Sequence, residues 1–231
     1  MRGSHGRNAE RTRARWRNGA WRAAAALGLA LALACGADRD TGTDLAPTPT
    51  PAPDPPPSEL PIATLEVEDF GALRIALFPH KAPKTVANFI ELAESGFYEG
   101  TTFHRVVPEF MIQGGDPNSK DRDPRNDGLG GPERGVADEF NDTRFGRGVV
   151  GMAHSGRPGS AGSQFFIMVA ERPELDGHYT AFGRVLTGLE VADRIAEVER
   201  DLYARWGPRD RPIEDVMIAK VSIERPAASA R

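Results

Sequence analysis

The chain has 231 residues, of which 39% are hydrophobic and 27% are charged. This composition is ordinary for a soluble globular protein and is sufficient for one domain with a substantial core. The net charge is −4, but seven arginines and one glutamate give residues 1–34 a charge of +6, which leaves −10 for the remainder. A basic leader on an acidic body argues against nucleic acid as a partner.

The first segment has the order of an export signal. Basic residues up to Arg22 precede an uncharged run from Ala23 to Ala34, and small residues lie directly before Cys35. The run is too short to span a membrane as a mature helix, which needs about 20 apolar residues. We therefore predict that residues 1–34 are an export signal and that the protein acts in the periplasm or elsewhere in the cell envelope.

Cys35 is the only cysteine, so no disulfide can form within the chain. Two interpretations of the preceding residues compete. Ala32-Leu33-Ala34 fits an A-x-A cleavage site, which would leave Cys35 as an ordinary thiol. The same residues resemble a bacterial lipoprotein signal whose cysteine is lipidated, although Ala32 stands where that pattern prefers leucine. We favour lipidation at Cys35, and with it a membrane anchor, because a lone thiol is otherwise a liability in an exported protein.

Residues 35–61 are predicted to be a linker, because threonine, aspartate, alanine and proline dominate and cannot bury a core. An extended spacer that holds the domain away from Cys35 and a tail without a spacing role are alternatives. Both place the start of the folded domain at Ile62. We predict a domain over residues 62–226 and a short tail over residues 227–231.

The domain opens with patterns typical of a hairpin and a helix. Apolar residues alternate over residues 63–67 and 73–77, which predicts a β-hairpin. Apolar residues then recur at three and four positions from Val86 to Ala93, with Pro83 near the start and Gly96 as a stop. This spacing predicts an amphipathic helix.

A second helix and a last strand are predicted near the end of the domain. The helix is expected from Gly188 to about Val198, with Thr187 and Glu190 at the spacing of a capping box. Residues 216–223 are predicted to form the strand. The polar, glycine-rich residues 118–135 are expected to be a surface loop.

The stretch F-H-R-V-V-P-E-F-M-I-Q-G-G-D, residues 103–116, combines apolar alternation with polar groups that packing does not need. Alternation along a strand places Phe103 with Arg105 on one face, and Met111 with Gln113 on one face. Such a surface suits a ligand that is partly apolar and partly amide.

A second stretch, G-S-Q-F-F-I over residues 162–167, repeats this combination. Alternation places Gln164 with Phe166 on one face and Phe165 with Ile167 on the other. If the two polar-aromatic faces converge, they form a small pocket with an apolar floor and with amide and guanidinium groups at its rim.

These two stretches, with L-D-G at residues 175–177 and A-F-G-R-V at residues 181–185, resemble the cyclophilin family of peptidyl-prolyl cis-trans isomerases. The resemblance covers roughly residues 62–224. It implies a mainly β fold, a closed eight-stranded antiparallel β-barrel capped by two α-helices. It also implies proline-containing polypeptides as partners, a monomer, and no cofactor or metal.

The resemblance also implies site residues by position. Arg105 and Gln113 fall on catalytic positions, and Gln113 and Gln164 on positions that bond the substrate backbone. The substrate-binding positions are Phe110, Met111, Ala153, His154, Gln164, Phe166, Leu175 and Tyr179.

Three positions depart from the best-known eukaryotic pattern of this family. His154 stands where asparagine is usual, Glu174 where tryptophan is usual, and Tyr179 where histidine is usual. A tyrosine ring can still line a proline pocket. The match at Arg105 and Gln113 is intact.

Two functions follow for the domain. The first is an isomerase that accelerates X–Pro bond rotation during the folding of exported proteins, and the second is a proline-peptide binding or chaperone module with incidental turnover. Arg105 favours the first. The histidines match no zinc spacing, and no nucleophile elbow is present, so neither metal chemistry nor a serine-type triad is expected.

Overall fold

In the computed structural model, which describes residues 54–226, one eight-stranded antiparallel sheet packs with two α-helices. The elements in chain order are β1 (Ile62–Val67), β2 (Gly71–Leu77), α1 (Pro83–Glu94), β3 (Arg105–Val107), β4 (Met111–Gly114), β5 (Val149–Met152), β6 (Phe165–Met168), β7 (Thr180–Thr187), α2 (Leu189–Ala196), β8 (Arg200–Asp201), β9 (Arg211–Pro212) and β10 (Ile218–Glu224). The predicted export segment 1–34, Cys35, most of the linker 35–61 and the tail 227–231 lie outside the described residues.

The sheet is open, so the predicted closed barrel is wrong. Its strand order is β10-β1-β2-β7-β5-β6-β4-β3, which makes a half-barrel with β10 and β3 at its edges. Strands β8 and β9 form a separate two-stranded pair. The mainly β fold, the eight antiparallel strands and the two helices agree with the sequence prediction.

The two edges approach each other without forming a ladder. One isolated bridge joins Thr102 to Met217, and the amide N–H of Phe103 donates to the carbonyl of Val216 over 2.9 Å. The chain reaches β3 only after this contact, and there the N–H of Val106 donates to the carbonyl of Asp210 instead. Asp210, which directly precedes β9, thus occupies the Val106 N–H at the outer edge of β3. This N–H is therefore not free to pair with β10.

The predicted hairpin and first helix are confirmed. Strands β1 and β2 pair in register from Ile62–Ala76 to Val67–Gly71. Helix α1 begins at Pro83 and ends at Glu94, and Gly96 follows with a φ of 73°. Pro83 suits the first turn because the missing N–H has no partner within a helix there.

The second helix is present, but the predicted capping box is wrong. Helix α2 begins after Gly188, and no side chain caps its first turn. Thr187 is the last residue of β7 and lies opposite Arg74 in the β2–β7 ladder. Sheet pairing therefore holds Thr187 in the strand, and the helix starts one residue later than a capping box requires.

Two further differences concern residues close to predicted boundaries. Phe103 precedes β3 and lies in the main core against Phe165, with ring centroids 6.2 Å apart, so it does not share a face with Arg105. Leu60, placed in the linker, is buried against Ile62 and Phe78. The fold thus begins slightly before the predicted start.

Each face of the sheet carries its own apolar cluster. The main core contains residues of both helices and of the strands on one face, including Val86 and Phe89 of α1 and Ile195 of α2. The second cluster includes Met111 and Phe166. In the described part of the chain, neither α1, α2 nor any other helix has the length and hydropathy needed to cross a bilayer.

Phe89 packs against three other aromatic rings in the main core, so its truncation tests how much this packing stabilises the fold. Its ring, 1% exposed, lies 5.1 Å from the ring of Tyr98, 5.8 Å from that of Phe165 and 5.3 Å from that of Phe182. We expect Phe89→Ala to lower the free energy of unfolding by about 3–5 kcal/mol in urea denaturation. Leu186→Ala, at a side chain 40% exposed, is the control and should cost about 0.5 kcal/mol. Equal losses would contradict this description of the core.

Candidate active site

One row of residues across five strands builds the site. Arg105 of β3 lies opposite Gln113 of β4, Gln113 lies opposite Phe166 of β6, and Phe166 lies opposite Gly151 of β5. Gly151 in turn lies opposite Ala181 of β7. Residues directly opposite in antiparallel strands have side chains about 4.5–5.5 Å apart on one face. The sheet register therefore brings a guanidinium, an amide and an aromatic ring side by side.

A glycine in this row makes space for the aromatic floor. A Cβ on Gly151 would lie 2.3 Å from Cζ of Phe166 and 2.7 Å from Cε1 of Phe145, closer than carbon atoms can approach. The two rings stack with centroids 5.7 Å apart. Phe166 can therefore lie flat against the sheet, and its other side faces the cavity.

This cavity has a volume of about 210 Å³. Its lining consists of Arg105, Phe110, Met111, Gln113, Ala153, His154, Phe166, Leu175 and Tyr179. The structure thus brings together every site residue named from the sequence within the domain except Gln164. The volume is smaller than the roughly 300–1,000 Å³ of pockets for drug-sized ligands, and it suits a single side chain.

Stacked rings form one wall of the cavity. The ring of Tyr179 meets that of Phe166 edge to face at 5.4 Å, and His154 stacks on Tyr179 at 4.5 Å. Nδ1 of His154 accepts the N–H of Gly156 over 3.0 Å, so Nε2 carries the hydrogen and donates to the carbonyl of His178 over 2.9 Å. The two residues that depart from the family pattern here, His154 and Tyr179, thus pack as a pair.

The guanidinium of Arg105 is available for a ligand. Within residues 54–226 it has no hydrogen-bond or ion-pair partner, and the residue is half-buried at the cavity rim. The neighbouring His104 is buried on the other side of the chain, and burial lowers the pKa of His104 to about 4 although nearby Asp116 opposes this shift. His104 is therefore uncharged at neutral pH and does not repel the Arg105 guanidinium.

Gln164 is placed differently from the other predicted site residues. Its Oε1 accepts a hydrogen bond from Nε2 of Gln113 over 3.0 Å. Its own Nε2 donates to the carbonyls of Gly128 and Gly130, over 3.0 and 2.8 Å. Both donors of the Gln164 amide therefore serve protein groups. The geometry assigns Gln164 to orienting Gln113, and its side chain lines a larger neighbouring cavity of about 620 Å³.

Asp116 holds the loop that supplies these carbonyls, and the sequence predictions gave it no role. The residue is fully buried. Its Oδ2 accepts the N–H groups of Gly128 and Gly130, and its Oδ1 accepts that of Asn118 over 2.8 Å. The predicted surface loop is thus connected to the site through the hydrogen bonds of Gln164. The available signal in the sequence was an aspartate directly after Q-G-G in an apolar stretch. If such a carboxylate is buried, it needs several hydrogen-bond donors.

Comparison with known sequences found related proteins. A family model described as cyclophilin type peptidyl-prolyl cis-trans isomerase matches residues 62–223. Peptidyl-prolyl cis-trans isomerase ppi1 of Schizosaccharomyces pombe is 40% identical over 166 residues, which cover 69% of this chain and 97% of that protein. A peptidyl-prolyl cis-trans isomerase of Synechococcus elongatus is 43% identical over 145 residues, which cover 59% of this chain and 94% of that protein.

A solved structure has the same fold. The crystal structure of a Cryptosporidium parvum cyclophilin type peptidyl-prolyl cis-trans isomerase, determined in the presence of the dipeptide Ala-Pro, superposes with a TM-score of 0.62. It is 31% identical, and the match covers 71% of this chain and 98% of that chain.

The hydrogen bonds of Gln164 can be tested by an isosteric change. Gln164→Glu keeps an acceptor for Gln113 but removes both donors to Gly128 and Gly130. We expect kcat/KM for an X–Pro peptide to fall on the order of tenfold, equivalent to about 1.4 kcal/mol, and mostly through kcat, because Gln113 loses its fixed orientation. The measurement is a peptide isomerisation assay.

Asn141→Asp is the matched control for this change. The Asn141 amide also donates to two backbone carbonyls, those of Glu139 and Ala181, but it does not line the cavity. Comparable loss of stability with near wild-type turnover is expected for it. If Asn141→Asp reduced kcat as much as Gln164→Glu, the loss would reflect general destabilisation.

Proposed function

The chain belongs to the cyclophilin-type peptidyl-prolyl cis-trans isomerase family, and we propose that it uses Arg105 to accelerate X–Pro bond rotation in exported polypeptides. The observation that carries the role of Arg105 is its guanidinium beside Gln113, which has no partner among residues 54–226 and lies at the rim of an apolar cavity of about 210 Å³. An unpaired donor next to an apolar pocket supports catalysis over simple peptide binding, which needs no such group.

The reaction needs a donor and little else. Rotation of a peptide bond has a barrier of about 18–20 kcal/mol, because resonance between nitrogen and carbonyl is lost. In the twisted state the proline nitrogen regains its lone pair and becomes a hydrogen-bond acceptor. A donor aimed at this nitrogen stabilises the twisted state more than either planar isomer, which lowers the barrier. Arg105 is the proposed donor.

The apolar residues of the cavity are proposed to hold the proline ring. Phe166 offers its open side, and Met111 and Leu175 complete the surface. The Cryptosporidium relative was crystallised in the presence of Ala-Pro, which supports a proline-containing ligand for this chain as well. Because the ring keeps its shape in both isomers, these contacts act equally on the planar and twisted states. These contacts bind the substrate, and the Arg105 donor lowers the energy of the twisted state relative to the planar states.

The proposed setting is the cell envelope. A basic segment, an uncharged run and small residues precede Cys35, which supports export and, in our preferred interpretation, lipidation. The linker 35–61 would then connect a membrane anchor to an isomerase domain over residues 62–226. We propose a monomeric enzyme, held at a membrane, that acts on proline-containing segments of exported proteins as they fold.

Removal of the Arg105 donor should affect turnover far more than binding. We expect Arg105→Ala to lower kcat/KM by about 100-fold to 1,000-fold, equivalent to roughly 2.7–4 kcal/mol, while the Kd for the peptide changes little. Arg105→Lys should restore little, because lysine keeps the charge but lacks the planar set of donors. A peptide isomerisation assay and a binding titration measure the two effects.

Two variants serve as controls for this experiment. Phe166→Ala should weaken binding and turnover together, since it removes apolar contact common to all states. Arg184→Ala, at an exposed arginine of β7, should leave both unchanged. Near wild-type turnover of Arg105→Ala would contradict the assigned mechanism.

The envelope setting has its own test. In an expressing bacterium, the wild-type protein should partition with membranes and carry a lipid at Cys35, whereas Cys35→Ala should not mature as a lipoprotein. Mass spectrometry of the mature N-terminus decides between the two interpretations. An unmodified Cys35 on soluble protein would support ordinary secretion instead.

A further inference from the structure

An exposed aromatic segment lies far along the chain from the site residues. We name residues 202–209, with the sequence L-Y-A-R-W-G-P-R between β8 and β9, the aromatic tip. Tyr203 is 77% exposed, Trp206 63% and Leu202 44%. A soluble domain seldom exposes several large apolar side chains together without a partner for them. Neither the cavity nor the proposed reaction uses this segment.

Hydrogen bonds to the Asp201 carboxylate fix the backbone of the aromatic tip. Asp201 is 1% exposed, and its carboxylate accepts the N–H groups of Tyr203 and Trp206 over 3.0 and 2.8 Å. Gly207 has a φ of 153°, and a Cβ there would lie 2.5 Å from the carbonyl oxygen of Pro124, so only glycine allows this close approach. The backbone thus fixes the tip with its apolar side chains directed outward.

Charge on the aromatic tip is positive, in contrast to the rest of the domain. Arg205 and Arg209 are its only charged residues, and both are exposed. Their contacts with acids are weak: Arg205 lies 3.6 Å from Asp201 and Arg209 lies 3.9 Å from Asp210. The Arg205 guanidinium also lies over the Tyr203 ring at 5.7 Å.

The aromatic tip contains no acidic residue, and acidic residues flank it in the sequence. A separate cavity near Ile213 is lined by Glu199, Glu214 and Asp215, and Asp215 pairs with Arg211. An anionic surface would therefore be attracted by Arg205 and Arg209 and repelled by these carboxylates. This arrangement favours a shallow contact.

We propose that the aromatic tip inserts at the surface of an anionic phospholipid membrane. Tryptophan and tyrosine prefer the interface between headgroups and acyl chains, and arginine adds attraction to anionic lipids. The inference rests on the proposed envelope setting, because a chain anchored at Cys35 by the linker 35–61 stays close to a membrane. The anchor raises the effective concentration of the aromatic tip at the membrane, so even a weak contact of the tip orients the domain.

The chain offers a direct probe of this contact. The three tryptophans are Trp16, Trp21 and Trp206, so a chain that begins at residue 35 carries Trp206 alone. All described elements lie between residues 57 and 224, so removing residues 1–34 removes none of them. Cys35→Ser in this chain excludes lipidation, so failure of this test would leave the anchor proposal and the isomerase function untouched.

The experiment mixes this chain with vesicles of phosphatidylglycerol and phosphatidylethanolamine. We expect a blue shift of Trp206 fluorescence, quenching by brominated lipid, and co-sedimentation that weakens with salt. Leu202→Ser/Tyr203→Ser should reduce the partition coefficient on the order of tenfold or more, and Arg205→Gln/Arg209→Gln should remove the preference for anionic lipid over phosphatidylcholine.

Leu186→Ser is the matched control, since Leu186 is an exposed leucine outside the tip. It should bind vesicles like the parent chain, and the peptide isomerisation rate in solution should confirm that each variant is folded. Absence of a blue shift and of co-sedimentation with anionic vesicles would overturn the proposal. A blue shift that grows with protein concentration in the absence of lipid would also overturn it, because the tip would then bind a second copy of the chain.

Discussion

The hydrogen bonds of the Gln164 side-chain amide connect the sheet to the loop that borders the site. Its two N–H groups donate to the carbonyls of Gly128 and Gly130, while its oxygen accepts from Gln113. Asp116 fixes the same loop through the N–H groups of these glycines. The orientation of Gln113, which neighbours Arg105, therefore depends on a loop that is distant in sequence. An amide is required at position 164 because no other side chain of this size both donates twice and accepts.

The remaining geometry follows from strand register. Arg105, Gln113, Phe166 and Gly151 are directly opposite one another across four neighbouring strands, so backbone pairing fixes these four positions of the site. The site lies on the face of the sheet opposite the helices, with its own apolar cluster. A rigid sheet suits a catalyst that must keep one donor aligned with a nitrogen atom, since small displacements weaken hydrogen bonds steeply.

Local patterns in the sequence predicted much of this arrangement. The β1–β2 hairpin, helix α1 and the faces of Phe165 and Phe166 follow from periodicity, and the family resemblance supplied nine residues that the structure gathers around one cavity. Features set by distant contacts were missed. The sheet remains open because Asp210 takes the N–H of Val106, and Gln164 turns toward Gly128 and Gly130 because their carbonyls lie within its reach. Neither contact has a counterpart in local spacing.

We propose that Gln164 acts on the reaction by orienting Gln113, which positions the peptide for the Arg105 donor. A double-mutant cycle on kcat/KM for an X–Pro peptide tests it most directly, with the wild type, Gln164→Glu, Arg105→Ala and the double variant. We expect strong coupling: once Arg105 is absent, Gln164→Glu should change kcat/KM by less than about twofold, because a peptide positioned by Gln113 then meets no donor at its proline nitrogen. If the two losses multiplied instead, Gln164 and Arg105 would act independently, and Gln164 would have no part in presenting the peptide to Arg105.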